Sequence, residues 1–528
     1  MKPNFIFFVT DQHRADHLGC YGNSIVRTPH IDGLAARGTA FDRFYVVSPI
    51  CMPSRATMMT GRMPSLNGVR HNGLPLPLDS VTIADVLSAG GYRTALIGKS
   101  HLQNISEYPP SLVAEAPGAG LTHASGCEEP RRARFDGPEY RQEAPSSWED
   151  PSYGMRLPYY GFDRVDLAID HGDQSGGDYE RWARRHAPDL DRLRGPENAE
   201  PDPRYDAPQA WRTRVPAELS TSAFVAERSE QFLDQMAAAG DGRPFFLKCS
   251  FPDPHHPFVP PGRYWDMYRP DDVEIPATCV APDENTPPHV RWLHEQRAAG
   301  KANLKGMLAV AVSQAEARSA LALTYGLIAQ VDDMVGRILR KAESLGLLDN
   351  TVIVFTSDHG DFLGDRGLVF KAPIHYQSLI RVPFIWVDPA SAGGARREQA
   401  LASTLDIART VLTRAGIAPF NGMQGRDLTR PPSDDLAKDV LIEEDGQRSL
   451  FGFQRPPRVR TLVTDRWRYT VYLNSPWGEF YDLREDPGEL HNLWDDPARR
   501  AQRGELAERM VAKLMAGFDR SPLPTRLA

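Results

Sequence analysis

Short, continuous apolar runs recur along the chain, each ending in polar residues. The clearest are Asn4–Thr10 (NFIFFVT), Thr94–Ile97, Pro244–Ser250 (PFFLKCS) and Thr351–Thr356 (TVIVFT). Runs of this length without alternation fit strands buried on both faces, as in parallel sheets. Between them, apolar residues fall at helical spacing. Thr28–Gly38 reads as a short helix closed by Gly38, Thr82–Ala89 as an amphipathic one with Ile83, Val86 and Leu87 inward, and Ser222–Met236 as a third. Ala320–Leu345 is a long helix carrying Leu321, Tyr325, Ile328, Val331, Val335 and Ile338 on one face. Phe41–Val47 and Pro383–Val387 read as further extended segments, and Ser403–Ala415 as a helix capped by Gly416. The pattern predicts an α/β core.

Two stretches depart from it. From about 104 to 220, proline, arginine and acidic residues crowd in and periodicity fades, apart from patches such as Tyr159–Ile169. This reads as an insertion over the active-site face, where loops carry specificity. His171 and Asp173 lie there within reach of a substrate, and a turn role is the favoured reading for both. Beyond a boundary at Pro431–Lys438, the segments Asp439–Glu443, Val459–Thr464, Trp467–Leu473 and Glu479–Leu483 alternate as short strands, followed by a closing helix, Arg499–Gly517. The expected organisation is a catalytic domain over 1–430 and a small antiparallel sheet with a helix over 431–528. There are no internal repeats and no low-complexity tract.

A chain of 528 residues exceeds one ordinary core, consistent with two units. Its net charge of −8 draws in neither nucleic acid nor an anionic membrane, so an anionic ligand must meet local positive charge. Five widely spaced cysteines (Cys20, Cys51, Cys127, Cys249, Cys279) argue against a disulfide framework and for a reducing compartment. The apolar run Phe5–Val9 is too short for a signal-peptide core. The sequence therefore points to a cytoplasmic protein, and leaves its oligomeric state open.

Ligands of open α/β sheets bind beyond the carboxyl ends of the strands. Four of the predicted strands release polar groups there: Asp11 and Gln12, Lys99 and His101, His255, and Asp358 and His359. Each alone is an ordinary turn or cap residue. Delivered together to one sheet edge, they mark a site.

The segment Cys51–Gly61, CMPSRATMMTG, has the form Cys-x-Pro-Ser-Arg, five residues, then Gly. It resembles the signature of type I sulfatases of the alkaline phosphatase superfamily, in which the cysteine is oxidised to formylglycine. Other motifs agree. Gly98-Lys99-Ser100-His101-Leu102 is similar to the family's Gly-Lys-Trp-His-Leu, with serine replacing tryptophan. Pro254-His255-His256-Pro257-Phe258 resembles its Pro-His-x-Pro-Phe, and Thr356–Asp361 its second metal motif. Lys371 sits where the family has a lysine before a later Val-Pro. Phe480-Tyr481-Asp482-Leu483, Asp486-Pro487 and Asn492-Leu493 look like its C-terminal signature.

The resemblance implies an alkaline-phosphatase-like sandwich, with a large mixed sheet flanked by helices and a small C-terminal antiparallel sheet. It implies one divalent metal on Asp11, Gln12, Asp358, His359 and the modified residue 51. Oxygen-rich sites suit hard cations. Many relatives have Asp-Asp and Asp-Asn at the two pairs; Gln12 and His359 lower the negative charge here, which leaves Ca²⁺ the first choice and Mn²⁺ its rival. Arg55 is implied to hold residue 51, Lys99 and Lys371 to bind the ester's non-bridging oxygens, His101 to act as base, and His255 (or its neighbour His256) as acid. Asn72 is a candidate contact for the substrate headgroup. A hydrated aldehyde offers one hydroxyl to attack sulfur and a second whose deprotonation expels sulfate. A formylglycine-generating enzyme is then an implied partner in maturation.

Three functions compete. The first is hydrolysis of an aryl or other small organic sulfate. The second is hydrolysis of a phosphonate monoester or phosphodiester, since a Gln beside the first Asp and a His beside the second resemble superfamily members with that activity. The third is non-catalytic anion binding, which needs no oxidisable cysteine.

Overall fold

In the computed structural model, which describes residues 2–107, 122, 124, 134–391, 394–431 and 438–524, the N-terminal apolar run forms strand β1 (Asn4–Thr10) at the middle of a large sheet. The sheet also holds β2 (Thr39–Phe41), β3 (Arg93–Gly98), β4 (Arg164–Ile169), β5 (Gly176–Gly177), β6 (Phe245–Ser250), β7 (Thr351–Ser357), β8 (Phe384–Val387) and β9 (Arg396–Glu398). Its nine strands run in the order β9-β2-β8-β7-β1-β6-β3-β4-β5. The five from β7 to β4 are mutually parallel, whereas β8 lies antiparallel to both β7 and β2. The expected mixed α/β sheet is therefore present.

Alternation along β1 shows why both faces must be apolar. Ile6 and Phe8 enter one buried core, and Phe5, Phe7 and Val9 enter the other. The first core packs against helices α1 (Pro29–Ala35), α4 (Asp178–His186), α5 (Thr221–Ala239) and the long α6 (Gln314–Ser344). The second packs against α2 (Cys51–Thr60), α3 (Ile83–Ala89), α7 (Asp406–Arg414) and the closing α8 (Arg500–Ala516). Ser313 and Thr82 cap α6 and α3 through reciprocal capping boxes.

The C-terminal strands β10 (Val440–Asp445), β11 (Arg458–Val463), β12 (Trp467–Tyr472) and β13 (Gly478–Asp482) form the antiparallel sheet read from their alternation, in sequential order. Residues 432–437 of the anticipated boundary and Cys127 lie outside the described residues; the other four cysteines are free thiols. The stretch expected to be a surface insertion does more than cover the sheet. Its residues 164–169 form β4, paired parallel to β3 from Ala95↔Arg164 to Gly98↔Leu167. The mixed composition of that strand, RVDLAI with two charges, hides it from an apolar-run criterion. Among the described residues no helix is long and apolar enough to cross a membrane.

Candidate active site

Five strands of the sheet, not four, release functional groups at the same edge: β1 (Asp11, Gln12), β3 (Lys99, His101), β4 (Asp170, His171), β6 (His255) and β7 (Asp358, His359). Backbone bonds hold the edge in register, with Asp11 N donating to Asp253 O at 3.3 Å, Asp358 N to Thr10 O at 3.1 Å and Lys99 N to Ser250 O at 2.9 Å. Gly98 is required there. Its φ is +100°, and a Cβ would come 1.9 Å from the Ser250 carbonyl oxygen.

Cys51 opens α2 over this edge and is 1% exposed. Its Sγ lies 3.2 Å from Lys371 Nζ, 3.2 Å from His359 Nε2 and 3.9 Å from Asp11 Oδ1. Burial and Asp11 push the thiol pKa up, but Lys371, Lys99 and His359 outweigh them and hold it well below the ordinary value. One turn along α2, Arg55 is fully buried. It donates from Nε to Asp358 Oδ2 at 2.7 Å, from Nη2 to Asp11 Oδ2 at 3.1 Å, and from Nη1 to Ser250 Oγ and Lys99 O. Helical spacing thus puts thiol and guanidinium on the same face, the latter locked between two carboxylates.

Lys371 Nζ also lies 2.8 Å from His255 Nε2, 3.1 Å from His359 Nε2 and 3.2 Å from Gln12 Oε1. Burial lowers its pKa, but Cys51, Asp11 and Asp358 raise it further, so it stays charged. His255 Nδ1 faces the His256 carbonyl, so the ring carries its hydrogen on Nδ1 and offers Nε2 to Lys371. His256, the alternative acid, instead accepts from Gln12 Nε2 at 3.0 Å, away from Lys371. Burial lowers both imidazole pKa values well below the usual range, and the neighbouring imidazoles and Lys371 push the same way.

His101 is buried in the left-handed region (φ 56°), and its Nδ1 has no partner. Its backbone N–H donates to Glu143 Oε2 at 2.7 Å, and Leu102 and Gln103 donate to Glu143 Oε1. One buried carboxylate therefore pins the loop that presents the imidazole. Burial and Lys99 lower the His101 pKa against the pull of Cys51 and Glu143, which keeps the ring available as a base.

The carboxylates, the imidazole of His359 and Cys51 offer one ligand atom each within 4.8 Å of one another. His359 Nδ1 lies 2.8 Å from the Gly360 carbonyl, which assigns its hydrogen there. That leaves Nε2 facing Asp11 Oδ1 and Asp358 Oδ1 at 3.6 and 3.8 Å. Burial and Lys371 lower the His359 pKa, yet Asp358 and Cys51 outweigh them and raise it. Surroundings that favour a positive charge on that nitrogen fit a cation, and two carboxylates with one imidazole suit a hard or borderline divalent ion. Gln12 meets the group through its backbone N–H on Asp358 Oδ1 at 3.2 Å, while its amide nitrogen donates to Asp361.

The structure thus brings together Asp11, Gln12, Cys51, Arg55, Lys99, His101, His255, Asp358, His359 and Lys371. Asn72 stands at the rim, its Oδ1 accepting from Met52 N at 3.0 Å, so that oxygen holds the start of α2. The turn reading of His171 is corrected. Its Nε2 bonds Lys99 Nζ and lies 3.7 Å from Asp11 Oδ2, and its ring stacks on His255 at 3.6 Å. The signal was the same strand-end placement that marked the other four, once β4 is recognised as a strand. Asp173 does serve as a loop anchor, its Oδ2 accepting from Gly195 N, Trp211 Nε1 and Thr213 Oγ1. Nothing in the sequence singled out Glu143.

Residues 3–417 match the sulfatase family. The chain belongs to that family, and is an enzyme of the sulfuric ester hydrolase class. Residues 364–516 of this sulfatase-family chain also match the family described as N-sulphoglucosamine sulphohydrolase, C-terminal. The arylsulfatase of Clostridium perfringens is 26% identical over 93% of this chain and 90% of its own. The multifunctional alkaline phosphatase superfamily protein PehA of Trinickia caryophylli is 26% identical over 98% of this chain and 96% of its own. Among solved structures, the phosphonate monoester hydrolase from Silicibacter pomeroyi superposes with a TM-score of 0.76 at 23% identity, covering 98% of this chain and 96% of that one. That likeness carries the alkaline-phosphatase-like fold.

Proposed function

We propose that the protein hydrolyses the sulfate ester of a small organic alcohol or phenol, with residue 51 matured to formylglycine. The observation that supports this most is the convergence of Lys371, Lys99 and Arg55 on and around one buried Cys51 side chain. A hydrated aldehyde at residue 51 supplies a nucleophilic hydroxyl and a second hydroxyl for release of sulfate. A divalent ion, Ca²⁺ or Mn²⁺, would be held by Asp11, Asp358 and His359, with Gln12 beside them, and would supply positive charge next to residue 51.

The chain's own residues account for the rest. Arg55, immobilised by Asp11 and Asp358, fixes the start of α2 so that residue 51 points at the strand ends. Lys99 and Lys371 each direct an ammonium at the position of the ester's non-bridging oxygens, where charge grows in the transition state. His101, whose imidazole interacts with the Cys51 side chain, takes a proton from residue 51. The proton between Lys371 Nζ and His255 Nε2 is the one given to the leaving oxygen. With so little exposure, the site keeps water from competing with these contacts.

A second reading, phosphonate monoester or phosphodiester hydrolysis, is favoured by Gln12. Gln12 replaces a carboxylate with an amide whose oxygen already faces Lys371. Sulfate and phosphonate monoesters both carry one negative charge, so charge does not separate them. A phosphate monoester carries nearly two, which this cradle serves less well. Initial rates on matched aryl sulfate, phosphonate and phosphodiester decide between the two readings. The sulfate should lead; a tenfold higher kcat/KM for the phosphonate, about 1.4 kcal/mol of transition-state preference, would reassign the enzyme.

A further inference from the structure

His171 contributes to no step derived so far, yet several features of β4's end serve to hold it. Asp170, a non-glycine residue, sits in the left-handed region at φ 69°. Gly172 follows at φ 61°, and a Cβ there would come 2.7 Å from Pro257 Cγ, in the segment that carries His255. Asp173 ties the loop down through its three donors. A backbone constrained on both sides of the histidine fixes the place of its ring.

That ring faces a charge. Asp170 Oδ1 accepts from His171 Nδ1 at 2.8 Å, which leaves the Nε2 lone pair for Lys99. An ammonium has three hydrogens. Lys99 donates one to His171 Nε2 and a second to Asp11 Oδ2 at 2.5 Å, and the third is left for a substrate oxygen. Asp11, His171 and His255 offer ligand atoms within 4.8 Å of one another, and two of these three residues hold the Lys99 ammonium.

We propose that Asp170 and His171 form a positioning pair that locks the Lys99 ammonium as a fixed cationic donor toward the bound ester. This rests on the proposed ester hydrolysis only in that Lys99 meets the anion. It holds for sulfate and phosphonate alike. A donor fixed before reaction acts mainly on the transition state, so the pair governs kcat more than KM.

The test is kinetic, on metal-replete, matured enzyme, with both aryl sulfate and aryl phosphonate. H171L removes the acceptor, H171Q keeps one, D170N disturbs the tautomer, and K99M removes the ammonium. We expect H171L to lower kcat about 100-fold, the scale of a displaced catalytic group, with KM within about threefold. H171Q should recover most of that loss, and D170N should fall between them. The double variant H171L/K99M should be no slower than K99M alone, because both changes remove the same interaction. The inference is overturned if H171L keeps kcat within twofold of the parent, if H171Q fails to rescue, or if the H171L and K99M losses multiply. Should H171L not fold, D170N decides in its place: a kcat within twofold of the parent, or a KM that rises in step with the loss in kcat, overturns the pair. A parent enzyme that prefers the phosphonate would overturn the sulfate assignment and leave this result readable.

Discussion

At the scale of single residues, the site is built from charges that water does not reach. Arg55, Asp11 and Asp358 are all fully buried, so each must be balanced by the others; removing one partner of such a set leaves an uncompensated charge and costs about 3–5 kcal/mol. Asp358→Asn should therefore lower both stability and metal content, the latter read by elemental mass spectrometry on purified protein. A variant that retains stoichiometric metal would place the ion elsewhere. Cys51 lends itself to a sharper experiment. Mass analysis of its tryptic peptide from active enzyme should show the thiol converted to aldehyde, and Cys51→Ala should lose all turnover while remaining folded. Fully active protein carrying only the thiol would remove formylglycine from the chemistry.

At the scale of elements, the loop after β3 shows how a distant segment sets catalytic geometry. Glu143 accepts from the amides of His101, Leu102 and Gln103 and from Tyr159 OH. Glu143→Ala orphans several buried donors at about 1–3 kcal/mol each. Equilibrium unfolding should then show a loss of roughly 3 kcal/mol or more, with activity falling as His101 leaves its strained conformation. Unchanged stability would mean the carboxylate pins nothing. Glu143 also marks the limit of what the sequence made legible. Uniform apolar runs located β1, β3, β6 and β7 to within a residue or so, and with them Asp11, Lys99, His101, His255 and Asp358, because a buried strand must be apolar on both faces. The strand β4 escaped, since its outer-sheet position tolerates Arg164 and Asp166, which bond to each other. The role of His171 was hidden with it. Glu143 lies in a polar stretch, and its role exists only through long-range contacts that no local pattern encodes.

At the scale of the whole molecule, the two sheets are joined through buried polar groups. His375 reaches Glu444 Oε2 at 2.9 Å and Thr461 Oγ1 at 2.8 Å, while Glu489 receives the Gln377 amide and, with Glu479, the fully buried Arg468. The small sheet is thereby fastened to the segment just after Lys371. Elsewhere, Asp332 on α6 accepts from the Ile31 and His30 amides at the start of α1, and burial pushes its pKa up to about 7. A carboxyl raised in this way binds its proton more tightly folded than unfolded. Its contribution is whole below about pH 4 and is lost as pH rises through about 7. The thermal midpoint of the parent should fall across that window relative to Asp332→Asn; parallel pH profiles would contradict the shift. The burial of Cys51 also has a meaning in time. Lys371, which closes over the thiol, is made 320 residues later, and at about 5–20 residues per second that is a delay of roughly 15–60 s. On the maturation proposed above, an enzyme that oxidises Cys51 would have its access during that interval, on the unfinished chain, and would lose it once β7 and Lys371 arrive. Slowing or speeding synthesis between residues 51 and 371 should accordingly change the fraction of molecules born competent without altering a single contact in the finished fold.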